Sequence, residues 1–522
     1  MGSHVTGAYR RLAAILVALV GTAAIAAVPF GADLSAPGRY ALATMFFAGT
    51  LWVTGALPLP VTALLVPVLV TAFGIYPRLG EALIGFADPV IFLLLAGFMI
   101  AEAFQKHGID RRIALFTMAR FGSSPRRLVL AVMVATAVLS MLISNTATTA
   151  MMVPIALGLV GQVTESDPTA NRPVQQGGEE PSNLHIAMLL GTAYAASLGG
   201  VGTLIGTPPN AIVVGQLREL LGVEITFVEW LAIGLPMVVV TLPIAWYLLA
   251  FHLYPPQRQA ASNARERARD QLSDLGPLGS GGRRVVAIFV ATAGLWLLGG
   301  FGFLFSDVLS ATWHVTLFGG GGRSVFGPGG HEGLLYYVLV GLLAVPALVL
   351  SGAATWDDLA TIDWGTLLLL GGGISLANAL ADTDATRWIA DVTIGSLGVV
   401  PVVVVLLVLI ALTVVVGELA SNTAMAAILA PILVAVGPSY AGALGTSSEM
   451  AAVFLAVAGG IAASYGFALP VATPPNAIVF GTGRITRAHM LRAGIVLDVV
   501  VILLATGLIA VLLGTVWPVV LG

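Results

Sequence analysis

No cysteine occurs in the 522 residues. A disulfide framework and a thiolate metal site are therefore excluded, and the redox compartment goes unmarked. Charge is scarce too: Asp, Glu, Lys and Arg make up 9% of the chain, where a soluble domain carries about 25%. The net charge of −3 is not that of a nucleic-acid binder. His107, His185 and His314 have no metal-ligand spacing and are read as structural. There is no H-E-x-x-H, no G-x-S-x-G and no P-loop, so the chain is not read as an enzyme. "GGVGTLIG" follows no strand, so it is read as a packing or unwinding element and not as a phosphate cradle.

What the chain has in quantity is apolar surface. Hydrophobic residues make up 58% and mean hydropathy is +0.97. With apolar runs of about 20 residues recurring along the length, this describes an all-α, polytopic membrane protein. Met1–His4 reads as a cloning remnant. The run after Arg10 and Arg11 is read as a first span and not a cleaved signal, since no small-residue cleavage site closes it. Spans are predicted at 12–30, 41–56, 60–76, 89–104, 185–205, 228–251, 285–305, 334–351, 364–380, 448–470 and 491–518. Two more apolar segments, 128–161 and 396–436, are each interrupted by the tetrapeptide SNTA and are read as re-entrant hairpins.

Polar stretches mark the joints. Residues 163–183 are acidic and rich in Pro, Gly and Gln; 253–284 carries Arg258, Arg265, Arg267, Arg269, Arg283 and Arg284; 306–333 is Gly-rich. Basic residues also cluster at Lys106–Arg127 and at Arg484, Arg487 and Arg492. By the positive-inside rule these three basic regions are cytoplasmic, and 77–88, 216–229 and 381–391 are external. The N-terminus is then expected inside and the C-terminus outside. The acidic loop 355–363 fits this scheme less well.

The two halves repeat. LLLAG at 93–97 returns as LLLGG at 368–372. SNTATTAMMVPI at 144–155 matches SNTAMAAILAPI at 421–432 at seven of twelve positions, and GTPPNAIVVG at 206–215 matches ATPPNAIVFG at 472–481 at eight of ten. Loop charge swaps sign between the copies, as inverted topology requires. Inverted repeats with helices broken near the midplane mark a transporter. The expected domains are an N-terminal segment with the first span (1–40), repeat 1 (41–252), a cytoplasmic basic linker (253–284) and repeat 2 (285–522).

The chemistry of the repeated motifs follows from helix ends. Ser, Asn and Thr suit N-caps, and Thr207-Pro208 and Thr473-Pro474 read as N-cap plus N1. Each half thus provides two helix starts at membrane depth, whose free N–H groups and partial positive charge suit an anion. The glycines of SLGGVGTLIGTPPN (197–210) allow carbonyls to turn outward, and carbonyl and hydroxyl oxygens suit a hard cation such as Na⁺. Uncharged ligands also let an emptied site recross the bilayer without a stranded charge. Glu418, three residues before Ser421, is the carboxylate nearest either SNTA, and Met141 occupies its place in the first half. A structural hydrogen-bonding role is favoured for it over direct ligation of a cation.

With SNT and TPPN both doubled, the chain resembles the divalent anion/sodium symporter family, the sodium-coupled dicarboxylate, citrate and sulfate carriers, from about residue 40 to 520. The resemblance implies an inverted-repeat transporter with two re-entrant hairpins and two broken helices. It further implies about eleven transmembrane helices, an elevator-type scaffold plus transport domains, a homodimer and a lipid environment. It places substrate contacts at Ser144, Asn145, Thr146, Ser421, Asn422 and Thr423, with Thr207, Pro208, Thr473 and Pro474 close by. One Na⁺ site maps onto Ser140, Ser144, Asn145 and Gly206, and a second onto Gly417, Ala420, Asn422 and Ala472. Gly417 stands where relatives commonly carry a hydroxyl, so only its carbonyl can ligate there. Met425 replaces a Thr often found two places after the motif, a place Thr148 fills in the first half.

The expected function is Na⁺-coupled symport of C4-dicarboxylates, such as succinate, malate or fumarate, across the inner membrane, with no organic cofactor. A sodium-independent dicarboxylate exchanger, or a Na⁺-coupled citrate or sulfate carrier, uses the same motifs. An anion channel is the alternative from another class, and it calls for a continuous polar pore lining that the sequence lacks.

Overall fold

The computed structural model describes residues 2–28, 34–122, 124–160, 181–257, 264–394 and 401–515. Most of the acidic stretch 163–183, Arg258 of the basic linker and the start of the second interrupted segment lie outside the described residues. The first half runs α1 (Gly2–Ala27), α2 (Ala36–Thr54), α3 (Leu59–Ala72), the single turn α4 (Leu79–Ala82), α5 (Pro89–Lys106), α6 (Ile109–Phe121), α7 (Pro125–Ser140), α8 (Asn145–Val160), α9 (Asn183–Gly200), α10 (Pro208–Leu221) and α11 (Phe227–Tyr247). A π turn, Leu248–Leu253, extends α11. The basic linker holds α12 (Ala264–Asp274).

The second half runs α13 (Ser280–Gly300), α14 (Ala311–Phe318), α15 (Tyr337–Leu350), the short α16 (Trp356–Leu359), α17 (Trp364–Asp382), α18 (Ala385–Ile394), α19 (Val402–Gly417), α20 (Asn422–Val436), α21 (Ala441–Leu444), α22 (Ser448–Ala463), α23 (Pro474–Gly481) and α24 (Arg487–Thr515). Among the described residues β structure is limited to two isolated bridges in the Gly-rich stretch. Seven helices there are long and apolar enough to cross a membrane, and four shorter apolar ones accompany them. Local chemistry sets the starts. Ser35, Asp88, Ser124, Ser182 and Ser447 cap α2, α5, α7, α9 and α22 through side-chain oxygens, and Thr226 with Glu229 forms a capping box on α11.

Polar contacts sort the loops into two ends. At one end Lys106 pairs with Asp358 at 2.5 Å. Arg112 donates to the Leu275 and Gly276 carbonyls, Arg265 to that of Ala119 and Arg267 to that of Leu159. Arg126 lies 4.2 Å over the Phe251 ring, and Tyr254 donates to the His489 carbonyl at 2.9 Å. At the other end Arg218 lies 3.4 Å from Glu224, which Tyr336 also reaches, and Tyr76 donates to Asp382 at 2.7 Å. All three basic regions share the first end. The acidic loop 355–363 joins them because Asp358 is neutralised by Lys106, and that contact, with Thr355, holds its carboxyl below the usual range. The misfit of that loop is thereby resolved.

The directions of the repeats follow. Helix α5 runs from Asp88 to Lys106, towards the basic end, and α17 runs from it to Asp382. The LLLAG and LLLGG copies are therefore antiparallel. Arms α7 and α8 both open on the basic end, beside Arg126 and at Leu159. Each arm has 16 residues, about 24 Å of helix, which is too short for the bilayer's hydrocarbon core of about 30 Å. The hairpin re-enters.

The core is an exchange between halves. Arms α7 and α8 pack on α9, and α19 and α20 on α22. Helix α23 then crosses to pack on α8 and α9, while α10 crosses to α20 and α22. This approach needs small residues. From Ile186 to Gly200 every residue of α9 is buried, as is Ala451–Ala463 of α22, and both stretches are rich in Ala and Gly.

Candidate functional site

Four helices start inside this exchanged core: α8 at Asn145, α10 at Pro208, α20 at Asn422 and α23 at Pro474. Ser144 and Asn145 are half-buried and Thr146 is exposed; Ser421, Asn422 and Thr423 are all half-buried. Both polar tips therefore present atoms to an accessible surface instead of being sealed in packing. Thr207 and Thr473 are buried, Pro208 is half-buried and Pro474 exposed.

The capping expectation is half met. Ser144 Oγ accepts from the Ala147 N–H at 3.3 Å and Thr473 Oγ1 from that of Asn476 at 3.2 Å. Thr207 and Ser421 sit at N-cap positions in extended backbone without a side-chain cap bond. At Thr207 the Asn210 N–H turns to the Thr207 carbonyl at 3.2 Å instead of to the hydroxyl, whereas the same pair of prolines, Pro474 and Pro475, leaves the Thr473 cap in place.

Between the halves of each broken helix the chain unwinds, and one device holds both loops. Asn210 Nδ2 donates to the carbonyls of Gly200 (3.0 Å) and Thr203 (2.7 Å). Asn476 Nδ2 donates to those of Gly466 (3.1 Å) and Leu469 (2.9 Å). These are equivalent positions in the two copies. A buried amide satisfies two carbonyls that the helix has released, which irregular backbone at membrane depth requires. The Asn of TPPN was legible as part of the motif, but its role was not foreseen.

In the first half these loops gather oxygens. Ser140 Oγ is 2.5 Å from Asn145 Oδ1 and 2.8 Å from the Ala196 carbonyl oxygen. A Cβ on Gly200 would stand 2.4 Å from Asn145 Oδ1, and one on Gly206 would stand 2.4 Å from the Gly200 carbonyl and 3.0 Å from that of Ser140. Ser140, Asn145 and Gly206, three positions of the expected first Na⁺ site, are thus brought into close contact, joined by Gly200, which was not foreseen. The donor set is neutral oxygen, which fits a hard cation. Ser144, the fourth position, adjoins it as the cap of α8.

In the second half Gly417 lies near the Tyr465 carbonyl, with 3.5 Å from a built Cβ. A Cβ on Gly466 would meet Ala472 Cβ at 3.3 Å and Glu418 Oε1 at 3.5 Å. Ala420 and Ala472 are buried, and Asn422 Oδ1 is buried without a hydrogen-bond partner. An orphaned acceptor of this kind fits a cation ligand. Glu418 has the structural role expected of it: its Oε1 accepts from the Ala468 N–H at 2.9 Å and its Oε2 from the Leu469 N–H at 2.7 Å. Asp498 was overlooked. It is buried in α24 and accepts from the Phe467 N–H at 3.2 Å. A lone carboxylate in an apolar 29-residue helix is itself a signal. The three histidines are held locally: His107 by the Ala353 carbonyl, His185 by Ser182 and His314 by the Gly302 carbonyl.

Comparison with known proteins identifies the family. The family profile described as the sodium:sulfate symporter transmembrane region matches residues 9–522. An uncharacterized transporter of Haemophilus influenzae is 34% identical, over 89% of this chain and 90% of its own length. The sodium-dependent dicarboxylate transporter SdcS of Staphylococcus saprophyticus is 31% identical over 90% of this chain and 86% of its own. SdcS of Staphylococcus aureus is 29% identical over 94% and 88%. Among solved structures, the Alcanivorax borkumensis YdaH transporter, described as having an unusual topology, superposes with a TM-score of 0.51 at 15% identity, over 84% of this chain and 87% of its own. That likeness bears on the fold alone. Matched along nearly its whole length, this chain belongs to the sodium:sulfate symporter family, and it is a membrane transporter, not an enzyme.

Proposed function

We propose that the protein is a secondary carrier of C4-dicarboxylates, such as succinate, malate or fumarate, driven by co-transported Na⁺ across the inner membrane. The carrying observation is the pair of accessible Ser-Asn-Thr tips, each heading a helix in one of two inverted halves. Each helix start contributes about half a positive charge, and the hydroxyls and amides around it are neutral. One carboxylate per half is the natural occupant. Ser144, Asn145, Thr146, Ser421, Asn422 and Thr423 would hold the dianion, with Thr207, Pro208, Thr473 and Pro474 behind them. Ser140, Ser144, Asn145 and Gly206 would hold one Na⁺; Gly417, Ala420, Asn422 and Ala472 would hold the other. The naming of SdcS relatives as sodium-dependent dicarboxylate transporters supports the same substrate and coupling.

The rest of the reading is an elevator motion of a transport domain holding both hairpins and both broken helices, in a homodimer. The basic end faces the cytoplasm, with the N-terminus inside and the C-terminus outside. Neutral ligand atoms suit such a motion, since none of them carries a charge of its own back across the bilayer.

Uptake of labelled succinate into proteoliposomes tests the coupling. It is expected to require an inward Na⁺ gradient and to proceed without internal dicarboxylate. Uptake indifferent to Na⁺ but dependent on internal dicarboxylate would assign a sodium-independent exchanger instead. A thermal-stability panel of succinate, citrate and sulfate, each in Na⁺ or choline, is expected to show the largest rise for succinate in Na⁺, because selective binding stabilises the native state. A larger rise with citrate or sulfate would reassign the substrate.

A further inference from the structure

The two unwound loops share one backbone but are braced with opposite polarity. Their equivalence is fixed by two glycines on the helices behind them. A Cβ on Gly234 of α11 would stand 2.4 Å from the Val201 carbonyl, and one on Gly494 of α24 would stand 2.2 Å from the Phe467 carbonyl, its counterpart. In the first half the loop is held by neutral groups. Trp230 Nε1 donates to the Val201 carbonyl at 3.0 Å, and the Thr203 hydroxyl donates to the Met141 carbonyl. In the second half Met490 stands at the Trp230 position, Leu469 at that of Thr203, and Glu418 at that of Met141. Three successive N–H groups, of Phe467, Ala468 and Leu469, are there taken by carboxyl oxygens of Asp498 and Glu418.

We propose that Glu418 and Asp498 are positioning residues that set the Na⁺ affinity of the second site, so that the two cation sites are electrostatically unequal. The physical link is through space: Glu418 directly follows Gly417 and lies two residues before Ala420, both positions of the second site, so a charge on its carboxylate acts on a cation held among them. Glu418 accepts through both oxygens, the behaviour of the ionised, acceptor-only form, and it borders the space between Gly466 and Ala472. This negative charge compensates for the hydroxyl that Gly417 cannot offer. In the first half Ser140 has that hydroxyl, and the position of Glu418 is filled by Met141. From α9, Tyr194 closes the packing: its ring meets Phe467 edge-on at 5.2 Å, and its buried hydroxyl has no partner.

This inference rests on the Na⁺-coupled reading, and the test separates the two. The purified protein is titrated with NaCl against choline chloride at constant ionic strength, with thermal unfolding as the readout. Asp498→Asn retains an acceptor oxygen for the Phe467 N–H, whereas Glu418→Gln removes the charge and keeps an acceptor for only one of the Ala468 and Leu469 N–H groups. Each is expected to raise the half-saturating Na⁺ concentration, Glu418→Gln by about tenfold, the scale of one charge-assisted contact. Glu418→Asp should recover part of the loss, and excess Na⁺ should restore succinate uptake with an unchanged KM. Half-saturation equal to wild type, or a lower melting point in choline alone with normal Na⁺ dependence, overturns the proposal. A wild-type protein that Na⁺ does not stabilise removes the coupled reading and this inference with it. Should Glu418→Gln fail to fold, Asp498→Asn decides the matter alone.

Discussion

Asn145→Ala and Asn422→Ala are each expected to abolish uptake while leaving a folded protein. The two side chains occupy equivalent places, one residue into the polar tip, and the proposed reading gives each a double duty towards dianion and cation. Asn145 Oδ1 is packed against Gly200 and lies 2.5 Å from Ser140 Oγ. Its loss removes an acceptor from the first oxygen cluster. Asn422 Oδ1 has no hydrogen-bond partner although it is buried. Removing an unpaired acceptor breaks nothing in the resting fold, so the melting point in choline should hardly move. Function should suffer far more. A ligand bond to a charged group is worth about 1.5–3 kcal/mol, and two such bonds lost per side chain lower the rate at least about 100-fold. Labelled-succinate uptake, with melting curves on the same preparations, checks both halves of the statement. Substantial transport by either variant would remove that tip from the site.

Gly206→Ala should be almost as damaging, by a different route. The added Cβ would fall 2.4 Å from the Gly200 carbonyl and 3.0 Å from the Ser140 carbonyl. Both neighbours are backbone, so no side chain can swing away. The methyl overlaps backbone, so the loop must shift to admit it, and on the proposed reading that shift displaces oxygens that would hold the cation. Loss of the Na⁺-dependent rise in melting temperature is expected, with uptake below detection. Gly294→Ala and Gly507→Ala are the controls. A Cβ at either position meets nothing within 4 Å, and both lie inside helices, where Ala outranks Gly by about 1 kcal/mol. Those variants should transport normally and melt no lower than wild type. Normal Na⁺ stabilisation of Gly206→Ala would show that the cation does not sit in this cluster.

Much of this architecture is legible in the residues, because membrane depth leaves few options for a polar island. Ser144–Thr146 and Ser421–Thr423 interrupt apolar runs of helix length, and the chain breaks where they stand. The doubled TPPN marks the second break for the same reason. What escaped reading depends on contacts between distant segments. Asp498 reaches an N–H 31 residues away, in a loop whose donors are free only because α22 has unwound. Nothing local to α24 names that partner. Asn210 and Asn476 clamp carbonyls 7 and 10 residues back, a pattern that appears once the unwound backbone is placed. Thr207 and Thr473 head the same Thr-Pro-Pro-Asn sequence, yet only Thr473 caps its helix, so that difference too lies outside the motif. Asp358 shows the limit of counting charges by loop, since Lys106 on another segment cancels it.

The cysteine-free chain permits a direct examination of whether one ligand spans both halves. Thr146→Cys and Thr423→Cys place a single thiol at each tip, and maleimide labelling of the two variants can be followed in Na⁺ or choline, with and without succinate. Succinate together with Na⁺ should slow labelling at both positions, and neither should suffice alone. Protection confined to one tip, or labelling indifferent to the ligand at both, would mean that the inverted copies do not share a dianion between them.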